Sequence, residues 1–402
     1  MQYVRIAGQL QIILSEQQKK KIWSLLEKKT ITNLFVEFAS ITMSNTNETI
    51  LEVDLNKLKH NYYYLKSLLK NNCKIIAVVK AFAYGHGDVV ISKKLEQLGV
   101  DTFWVADFEE GISLREGGIK SKIIIANPGR KSFNKIIKNN LDVVLHNKSL
   151  LEFYISKNTN VNVHLKFNTG MNRYGFDVDE IKEISERLKN NKQLNVISVC
   201  SHLSSADDIA KSEKTLNQIK LFEKISDKLE KKLSYTLDKH ILNSSGFLHF
   251  SEKMFDMVRL GITLFGAYKN ENILQVSKLK SVISQNRNIK KGSEVGYSSG
   301  FEAKKNMNVS VVPVGYADGL NRKFGEGVGN VLVNGFLCPI IGNICMDSFI
   351  IDTTKVNCQE GDEVEIFGEG NSILKLSEDL GTIPYEIYST LNRRIKRVYI
   401  SN

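Results

Sequence analysis

The chain has 402 residues, of which 42% are hydrophobic and 25% are charged, and it contains only 4 prolines. Because domains average roughly 100–200 residues, this length predicts two or three domains, each large enough to bury a hydrophobic core. No segment offers the roughly 18 uncharged apolar residues that a transmembrane helix requires, so the sequence excludes such a helix.

The net charge of +11 is spread along the chain and forms neither a long basic tail nor a basic stripe interleaved with aromatic residues. This distribution favours small anionic ligands, and we expect neither a nucleic-acid nor a membrane partner. Five cysteines are too few and too scattered for a disulfide framework. We therefore expect the protein to reside in the reducing cytoplasm.

Residues 1–48 are predicted to be a separable N-terminal extension. Within Glu16–Lys29, apolar residues stand at helical spacing among charged ones, which predicts one amphipathic helix. The short apolar run before it is followed by lysines, which is the wrong order for a secretory signal.

Residues 49–269 alternate short apolar runs with charged amphipathic segments. Eight runs are continuous rather than alternating, which is typical of parallel strands buried on both faces and covered by helices. The runs are Ile75–Val79, Thr102–Ala106, Lys122–Ala126, Val143–Leu145, Val161–Phe167, Val196–Cys200, Ile241–Asn243 and Met257–Leu260. The clearest helices are Asp88–Leu98, Ile181–Leu188 and Lys211–Lys232. The number of units suits a (β/α)8 barrel, and periodicity alone leaves a doubly wound sheet as the alternative.

Residues 270–402 have a different pattern. β-Branched runs recur at Val309–Val314, Val331–Val333, Ser348–Ile351 and Glu363–Phe367, and glycine-containing turns separate them. This spacing predicts a C-terminal, mainly antiparallel β domain.

The residues that follow the apolar runs suggest where ligands bind, because barrel active sites lie at the carboxyl ends of the strands. Positively charged and hydrogen-bonding side chains lie at the ends of five of the runs or shortly after them. They are Lys80, Lys166, Arg173, His202, Ser244 and Arg259. A cationic rim with a serine and glycine-opened backbone amides suits a phosphorylated or carboxylated ligand.

Lys80 directly follows five apolar residues, so we expect a buried or half-buried amine. Desolvation favours the neutral amine, which can form a Schiff base with a carbonyl compound. A lysine that extends from a strand end into solvent is the alternative that position alone leaves open. His86, in the turn after this lysine, is expected to have a structural role.

The letters around Lys80, Val-Val-Lys-Ala-Phe-Ala-Tyr-Gly-His-Gly, resemble the cofactor-lysine motif of alanine racemases, which are pyridoxal-phosphate enzymes of fold type III. The resemblance continues in the same order along residues 50–400. It includes His164–Gly175, Asn243–Ser245, Met257–Ile262, Val295–Tyr297, Val314–Gly319, Ile344–Asp347 and Pro384–Glu386. The set is far more specific than any single motif.

The resemblance implies a barrel plus C-terminal β domain that racemises alanine with pyridoxal 5'-phosphate and two bases, supplying D-alanine for peptidoglycan. Lys80 and Tyr297 would be the catalytic bases, the tyrosine coming from the partner subunit of a homodimer with shared active sites. The cofactor would be held by Lys80, Tyr84, His202, Ser244, Arg259, Gly261, Ile262 and Tyr385. Arg173 and Met346 would bind the substrate carboxylate, Lys166 is a possible carbamylated lysine, and no metal is expected.

Two residues depart from the family pattern: Phe82 replaces a usual asparagine, and Asn168 replaces a usual aspartate. The alternative within the family is a racemase for serine or for several amino acids. A basic amino-acid decarboxylase of related fold is disfavoured because Arg259 stands where those enzymes carry glutamate. A cofactor-carrying binding protein is disfavoured because the β domain with Tyr297 is retained.

Overall fold

The computed structural model describes residues 47–70 and 72–401. The helix predicted over Glu16–Lys29 lies outside the described residues. Among those residues, no helix combines the length and apolarity needed to cross a bilayer.

The first of two large sheets is a nearly closed parallel barrel. Its strands are β2 Lys74–Val78, β3 Thr102–Val105, β4 Lys122–Ile125, β5 Asp142–Leu145, β6 Val161–Lys166, β7 Leu194–Cys200, β8 Asp238–His240 and β9 Met257–Leu260. Neighbours in the chain pair in parallel from β2 to β8, and β9 pairs with β2. The Arg259 amide donates to the Leu242 carbonyl at 3.0 Å across the remaining gap. The barrel alternative is therefore confirmed, and the doubly wound sheet is wrong.

Helices cover the outside of this barrel. They are α1 Leu55–Ser67, α2 Asp88–Gln97, α3 Phe108–Glu116, α4 Phe133–Lys138, α5 Lys148–Ser156, α6 Ile181–Lys189, α7 Ser212–Leu233 and α8 Ser244–His249. All residues of β3 and β5 are buried, as expected for strands enclosed between the barrel interior and the helices.

The seventh predicted strand, Ile241–Asn243, is wrong by three residues, because pairing with β7 occurs at Asp238–His240. The apolar residues Ile241 and Leu242 are buried beyond the last paired residue, and Asn243 accepts from the Gly246 amide to cap the next helix. The apolar residues therefore predicted correctly which part of this segment is buried, but not which part forms the hydrogen-bonded strand.

The second sheet has nine strands in the order β11-β14-β17-β16-β15-β18-β10-β1-β19. Their bounds are β1 Ile50–Asp54, β10 Ser277–Val282, β11 Gln285–Ile289, β14 Met307–Val312, β15 Asn330–Val333, β16 Phe336–Ile341, β17 Phe349–Asp352, β18 Glu363–Phe367 and β19 Lys396–Ile400. The hairpin β12 Glu294–Val295 with β13 Phe301–Glu302 and the helices α9 Ile373–Leu380 and α10 Pro384–Thr390 complete this part.

The strand β1 belongs to this second sheet, although the sequence assigns residues 50–54 to the barrel. It pairs antiparallel with β10 and parallel with β19. Its partners lie more than 200 residues away along the chain, so no local pattern reveals the pairing.

A left-handed helical turn at Lys80–Tyr84 links β2 to α2. Residues 81–84 have φ between 51° and 56°, and none of them is glycine. Each such residue costs about 1–2 kcal/mol, so the surrounding structure must hold the turn in place. The Glu110 carboxylate accepts from the Ala81 amide at 2.7 Å, and Arg397 Nε donates to the Gly85 carbonyl at 2.8 Å.

The His86 ring braces the same turn. Its Nδ1 lies 2.8 Å from the Tyr84 carbonyl, and its Nε2 lies 2.9 Å from Ser277 Oγ in β10. Burial lowers the pKa of His86 to about 4, so the ring is neutral at physiological pH. The predicted structural role of His86 is confirmed.

We expect Gly85→Ala to be more destabilising than Gly381→Ala. Both glycines have positive φ, but a Cβ at Gly85 would lie 2.1 Å from the Tyr388 carbonyl oxygen in α10, whereas no described residue has an atom within 4 Å of a Cβ at Gly381. Gly381→Ala should cost about 1 kcal/mol of unfolding free energy, and Gly85→Ala at least about 2 kcal/mol more. Urea unfolding measures both, and equal losses would contradict the close contact between the turn and α10.

Candidate active site

A cavity of about 590 Å³ opens at the carboxyl ends of the barrel strands. Ten of the predicted site residues line it together. They are Lys80, Tyr84, Lys166, Arg173, His202, Ser244, Arg259, Gly261, Ile262 and Tyr385. They come from five strand ends and from α10, because parallel strands in a barrel deliver their last residues to one rim.

Lys80 lies on the rim, where the residue as a whole is exposed to the cavity but its amine is largely shielded by the cavity walls, in agreement with the expected half-buried amine. The residue follows the end of β2, and the left-handed turn begins directly after it, which leaves the side chain at the cavity wall. The walls still displace much of the water around the amine. That desolvation, together with the positive charge of Arg173, lowers the pKa of Lys80.

Lys166, at the end of β6, is the second lysine of the cavity. Burial lowers the pKa of Lys166 to about 8, and the cations Arg259 and Arg173 act in the same direction. Its ammonium lies 5.7 Å from the centre of the Tyr174 ring. An amine with such a pKa is partly neutral near physiological pH.

Arg259, in β9, is held by hydrogen bonds that both of its terminal nitrogens donate. One donates to His240 Nδ1 at 2.5 Å and to the His240 carbonyl at 3.1 Å. The other donates to the carbonyls of Ser201 and Ile241 and lies 3.2 Å from His202 Nδ1. The Nε–H has no hydrogen-bond partner within residues 47–70 and 72–401, and the side chain lines the cavity. Arg259 can therefore donate one further hydrogen bond to a ligand.

Gly261 and Ser244 form a small cradle on the rim. The Gly261 amide donates to Ser244 Oγ at 3.1 Å, and that hydroxyl lies 3.0 Å from Thr263 Oγ1. A Cβ at Gly261 would lie 2.4 Å from the Tyr84 hydroxyl, so a side chain would fill the cradle. The Tyr385 ring lies 5.8 Å from the Tyr84 ring. Hydroxyls and amides at this spacing suit a phosphate.

Phe82, the first departure from the family pattern, contacts two arginines of the C-terminal segment. The guanidinium of Arg393 lies 4.4 Å from the ring centre, and that of Arg397 lies 5.4 Å away. Cation–π contacts of this length are attractive. The phenyl ring therefore ties the turn after Lys80 to the segment that enters β19.

Asn168, the second departure, uses its side chain within its own loop. Its Oδ1 accepts from the amides of Gly170 and Asn172, each at 3.1 Å. Its Nδ2 donates to Asn172 Oδ1 at 3.0 Å. Asn168 therefore shapes the loop that carries Arg173.

Tyr297 and Met346 do not line the cavity of their own chain. Their side chains are 70% and 54% exposed, respectively. Asn343 Nδ2 donates to the Tyr297 carbonyl at 3.1 Å, and the Met346 carbonyl accepts from the Ala317 amide at 3.0 Å. Both residues thus lie on an accessible surface of the C-terminal β domain.

Sequence reasoning missed several residues that hold the site. Trp104 lies beneath the Arg259 guanidinium, with 5.3 Å between its ring centre and that group. His240 was missed because the seventh strand was predicted three residues too far along the chain, so His240 fell before it and not at its end. Glu110 and Arg397 support the turn after Lys80 from a helix and from β19, and no local motif marks either of them.

Comparison with known proteins matches both parts of the chain to one family. The family model described as "Alanine racemase, N-terminal domain" matches residues 53–269, and the one described as "Alanine racemase, C-terminal domain" matches residues 276–399.

Individual proteins agree with these matches. The alanine racemase of Fusobacterium nucleatum is 38% identical over 362 residues, which are 88% of this chain and 99% of that protein. A solved alanine racemase structure from Clostridium difficile 630 has a TM-score of 0.83 at 31% identity, covering 89% of this chain and 97% of the other. A Bartonella henselae alanine racemase structure, described as having covalently bound pyridoxal phosphate, has a TM-score of 0.81 at 30% identity. The match covers 88% of this chain and 99% of the other. The chain therefore belongs to the alanine racemase family.

Proposed function

We propose that this protein is a pyridoxal-phosphate-dependent racemase that interconverts L-alanine and D-alanine. The observation that carries the proposal is the arrangement of one cavity in a member of the alanine racemase family. The cavity brings together an amine of lowered pKa at Lys80, the free Nε–H of Arg259 and the cradle at Gly261.

The residues present fit the cofactor. The Lys80 amine would hold its aldehyde carbon, and Arg259 Nε–H would donate to the pyridine nitrogen. The phosphate would be held by Tyr84, Ser244, Tyr385 and the amides of Gly261 and Ile262, and His202 would lie beside the ring. When bound, the cofactor supplies an electron sink that makes the substrate α-proton acidic.

Racemisation requires that a proton leave one face of the α-carbon and that another arrive on the opposite face. Lys80 Nζ would exchange a proton on one face. Tyr297 Oη would do so on the other face, since a phenol can both donate and accept a proton. Arg173 and the Met346 backbone amide would hold the substrate carboxylate.

Arg259 supports racemisation over amino-group transfer. A guanidinium keeps its protons, so it leaves the pyridine nitrogen unprotonated, unlike an acidic residue at the same place. Arg259 would thereby weaken the electron sink that the cofactor supplies, so that protonation at the α-carbon would compete well with side reactions. His202 beside Arg259 is held neutral because burial, reinforced by the Arg259 charge, lowers its pKa.

Lys166 is proposed to be carbamylated. Because its pKa is about 8, a larger fraction of Lys166 is present as the neutral amine. The neutral amine is the form that bonds to carbon dioxide and releases a proton. The resulting carbamate would carry a negative charge among Lys80, Arg173 and Arg259, which lowers the electrostatic cost of gathering these cations.

The active form is proposed to be a homodimer with shared active sites. Tyr297 is 70% exposed and lies outside the cavity of its own chain, so a tyrosine that acts there must come from a second copy. All five cysteines are free, which suits a reducing cytoplasm. We propose that the D-alanine formed there supplies peptidoglycan.

The direct test is incubation with a panel of L-amino acids followed by chiral chromatography. We expect D-alanine to form from L-alanine faster than any other D-amino acid forms from its L-isomer. Faster conversion of L-serine would move the assignment to the broader racemase alternative. The absence of every D-amino acid from cofactor-loaded protein would overturn the proposed function.

We expect Lys80→Ala to remove the visible absorbance of the lysine-bound cofactor and to lower racemisation by a factor of at least about 10³. Lys93→Ala is the matched control, because Lys93 is an exposed lysine of α2 outside the cavity. Absorption spectra and chiral chromatography measure the two effects. Normal absorbance and turnover in Lys80→Ala would exclude its role.

Mixing inactive variants tests whether the sites are shared. Equal amounts of Lys80→Ala and Tyr297→Phe chains, after subunit exchange, should regain about a quarter of wild-type activity, because half of the dimers carry one intact site. As the control, equal amounts of wild-type chain and the double variant should also show about a quarter of the activity rather than half, since their heterodimers contain no intact site. No recovery in the first mixture, with half in the second, would contradict shared sites.

A further inference from the structure

The interior of the barrel contains a continuous row of buried polar side chains that ends at Arg259. Each of five consecutive strands, β5 to β9, contributes one member. They are Asp142, His164, Ser198, His240 and Arg259, with exposed fractions of 5%, 2%, 0%, 0% and 5%. The row starts at the first residue of β5, at the amino end of the barrel, and finishes at the cavity on the carboxyl side.

The members of this row contact one another in order. Arg259 lies 2.5 Å from His240 Nδ1, and His240 Nε2 lies 3.1 Å from Ser198 Oγ. Ser198 Oγ in turn lies 2.6 Å from His164 Nδ1. His164 Nε2 faces Asp142 Oδ2 at 3.6 Å, and neither of these two buried atoms has a hydrogen-bond partner in the described part of the chain.

The direction of every hydrogen bond in the row follows from its two ends. Arginine only donates, so His240 Nδ1 must be the unprotonated acceptor and Nε2 must carry the proton. The Nε2–H then donates to Ser198, whose own hydroxyl proton is left to donate to His164 Nδ1. His164 therefore carries its proton on Nε2, directed at a carboxylate that only accepts. The arginine and the aspartate thus demand the same tautomer in both histidines.

Asp142 is itself fixed in position. Its Oδ1 accepts from Asn162 Nδ2 at 3.0 Å, and Asn162 Oδ1 accepts from Asn195 Nδ2 at 3.0 Å. These contacts leave Oδ2 directed at His164. At the other end, burial and the Arg259 charge lower the pKa of His240, which keeps that ring neutral.

We propose that the row Asp142–His164–Ser198 is a tautomer lock that holds His240 with a free Nδ1 lone pair and thereby orients Arg259. These three are positioning residues, because they act through His240 and touch no ligand. In the other tautomer, His240 Nδ1–H would confront the Arg259 N–H, and two donors at 2.5 Å repel. Arg259 would then have to turn, which would move its Nε–H in the cavity. This effect on turnover rests on the proposed function, whereas the tautomers themselves do not.

The tautomers can be measured by ¹⁵N NMR of histidine-labelled protein, with signals assigned from single His164→Asn and His240→Asn variants. We expect both rings in the wild type to be neutral with the proton on Nε2. A proton on Nδ1 of His240 in the wild type would overturn the proposal. Because this measurement needs neither cofactor nor turnover, it remains decisive even if the proposed racemase activity fails.

Ser198→Ala breaks the row at its centre, and Ser198→Thr retains the hydroxyl. We expect the alanine variant to lose the single His240 tautomer and to lower kcat for alanine on the order of tenfold, the loss typical of one buried hydrogen bond. The visible absorbance of the bound cofactor should shift as well, and the threonine variant should restore both. Ser226→Ala is the matched control, because it removes a buried hydroxyl of α7 whose one hydrogen-bond partner among the described residues is the Phe222 carbonyl.

Asp142→Asn tests the end of the row that is farthest from Arg259, because asparagine has nearly the same shape as aspartate but no charge. The amide removes the charge that fixes His164, so we expect an intermediate loss of kcat with the KM for alanine nearly unchanged. If Ser198→Ala and Asp142→Asn both leave the His240 tautomer, the absorbance and kcat at wild-type values, the proposed lock is wrong.

Discussion

The arrangement of the active site depends on the burial of the Arg259 guanidinium, which has no carboxylate among its hydrogen-bond partners in the part of the chain that the structure describes. A buried cation is costly unless its N–H groups are satisfied, so the barrel supplies backbone carbonyls and neutral imidazole nitrogens instead. Burial, reinforced by the Arg259 charge, lowers the pKa values of His240 and His202, so each ring stays neutral and keeps a lone pair to offer. These contacts of Arg259 also leave one donor, Nε–H, for a ligand.

The second constraint is the strained turn after Lys80. Four residues with positive φ follow the lysine, and the elements that hold them come from α3, β10 and β19. Arg397, Phe82 and Tyr399 join this turn to the C-terminal β domain, Tyr399 by a hydrogen bond to the His86 carbonyl at 3.0 Å. The position of the Lys80 amine is therefore set by both parts of the fold together. The replacement of asparagine by Phe82 is compatible with this, because the ring packs against two arginines.

Sequence reasoning located most of the cavity because it used a rule of topology. Once residues 49–269 were read as parallel strands, Lys80, Lys166, His202 and Arg259 had to share one rim, and the structure brings them to one cavity. The rule could not find residues whose role depends on contacts between distant segments. Glu110 looks like any other helix glutamate. His240 was predicted to lie just before a strand, whereas it is the last residue of β8.

By itself, the sequence determined the order of buried strands and helices, the chemical groups at the strand ends and the family. These features depend on local periodicity and on residue type, which a chain displays before it folds. Only the tertiary structure decided that β1 joins the C-terminal sheet, that Lys80 faces an open cavity, and that Asp142 is connected through the barrel interior to Arg259. Those facts depend on which distant atoms come within hydrogen-bonding distance, and short-range sequence patterns carry no information about such distances.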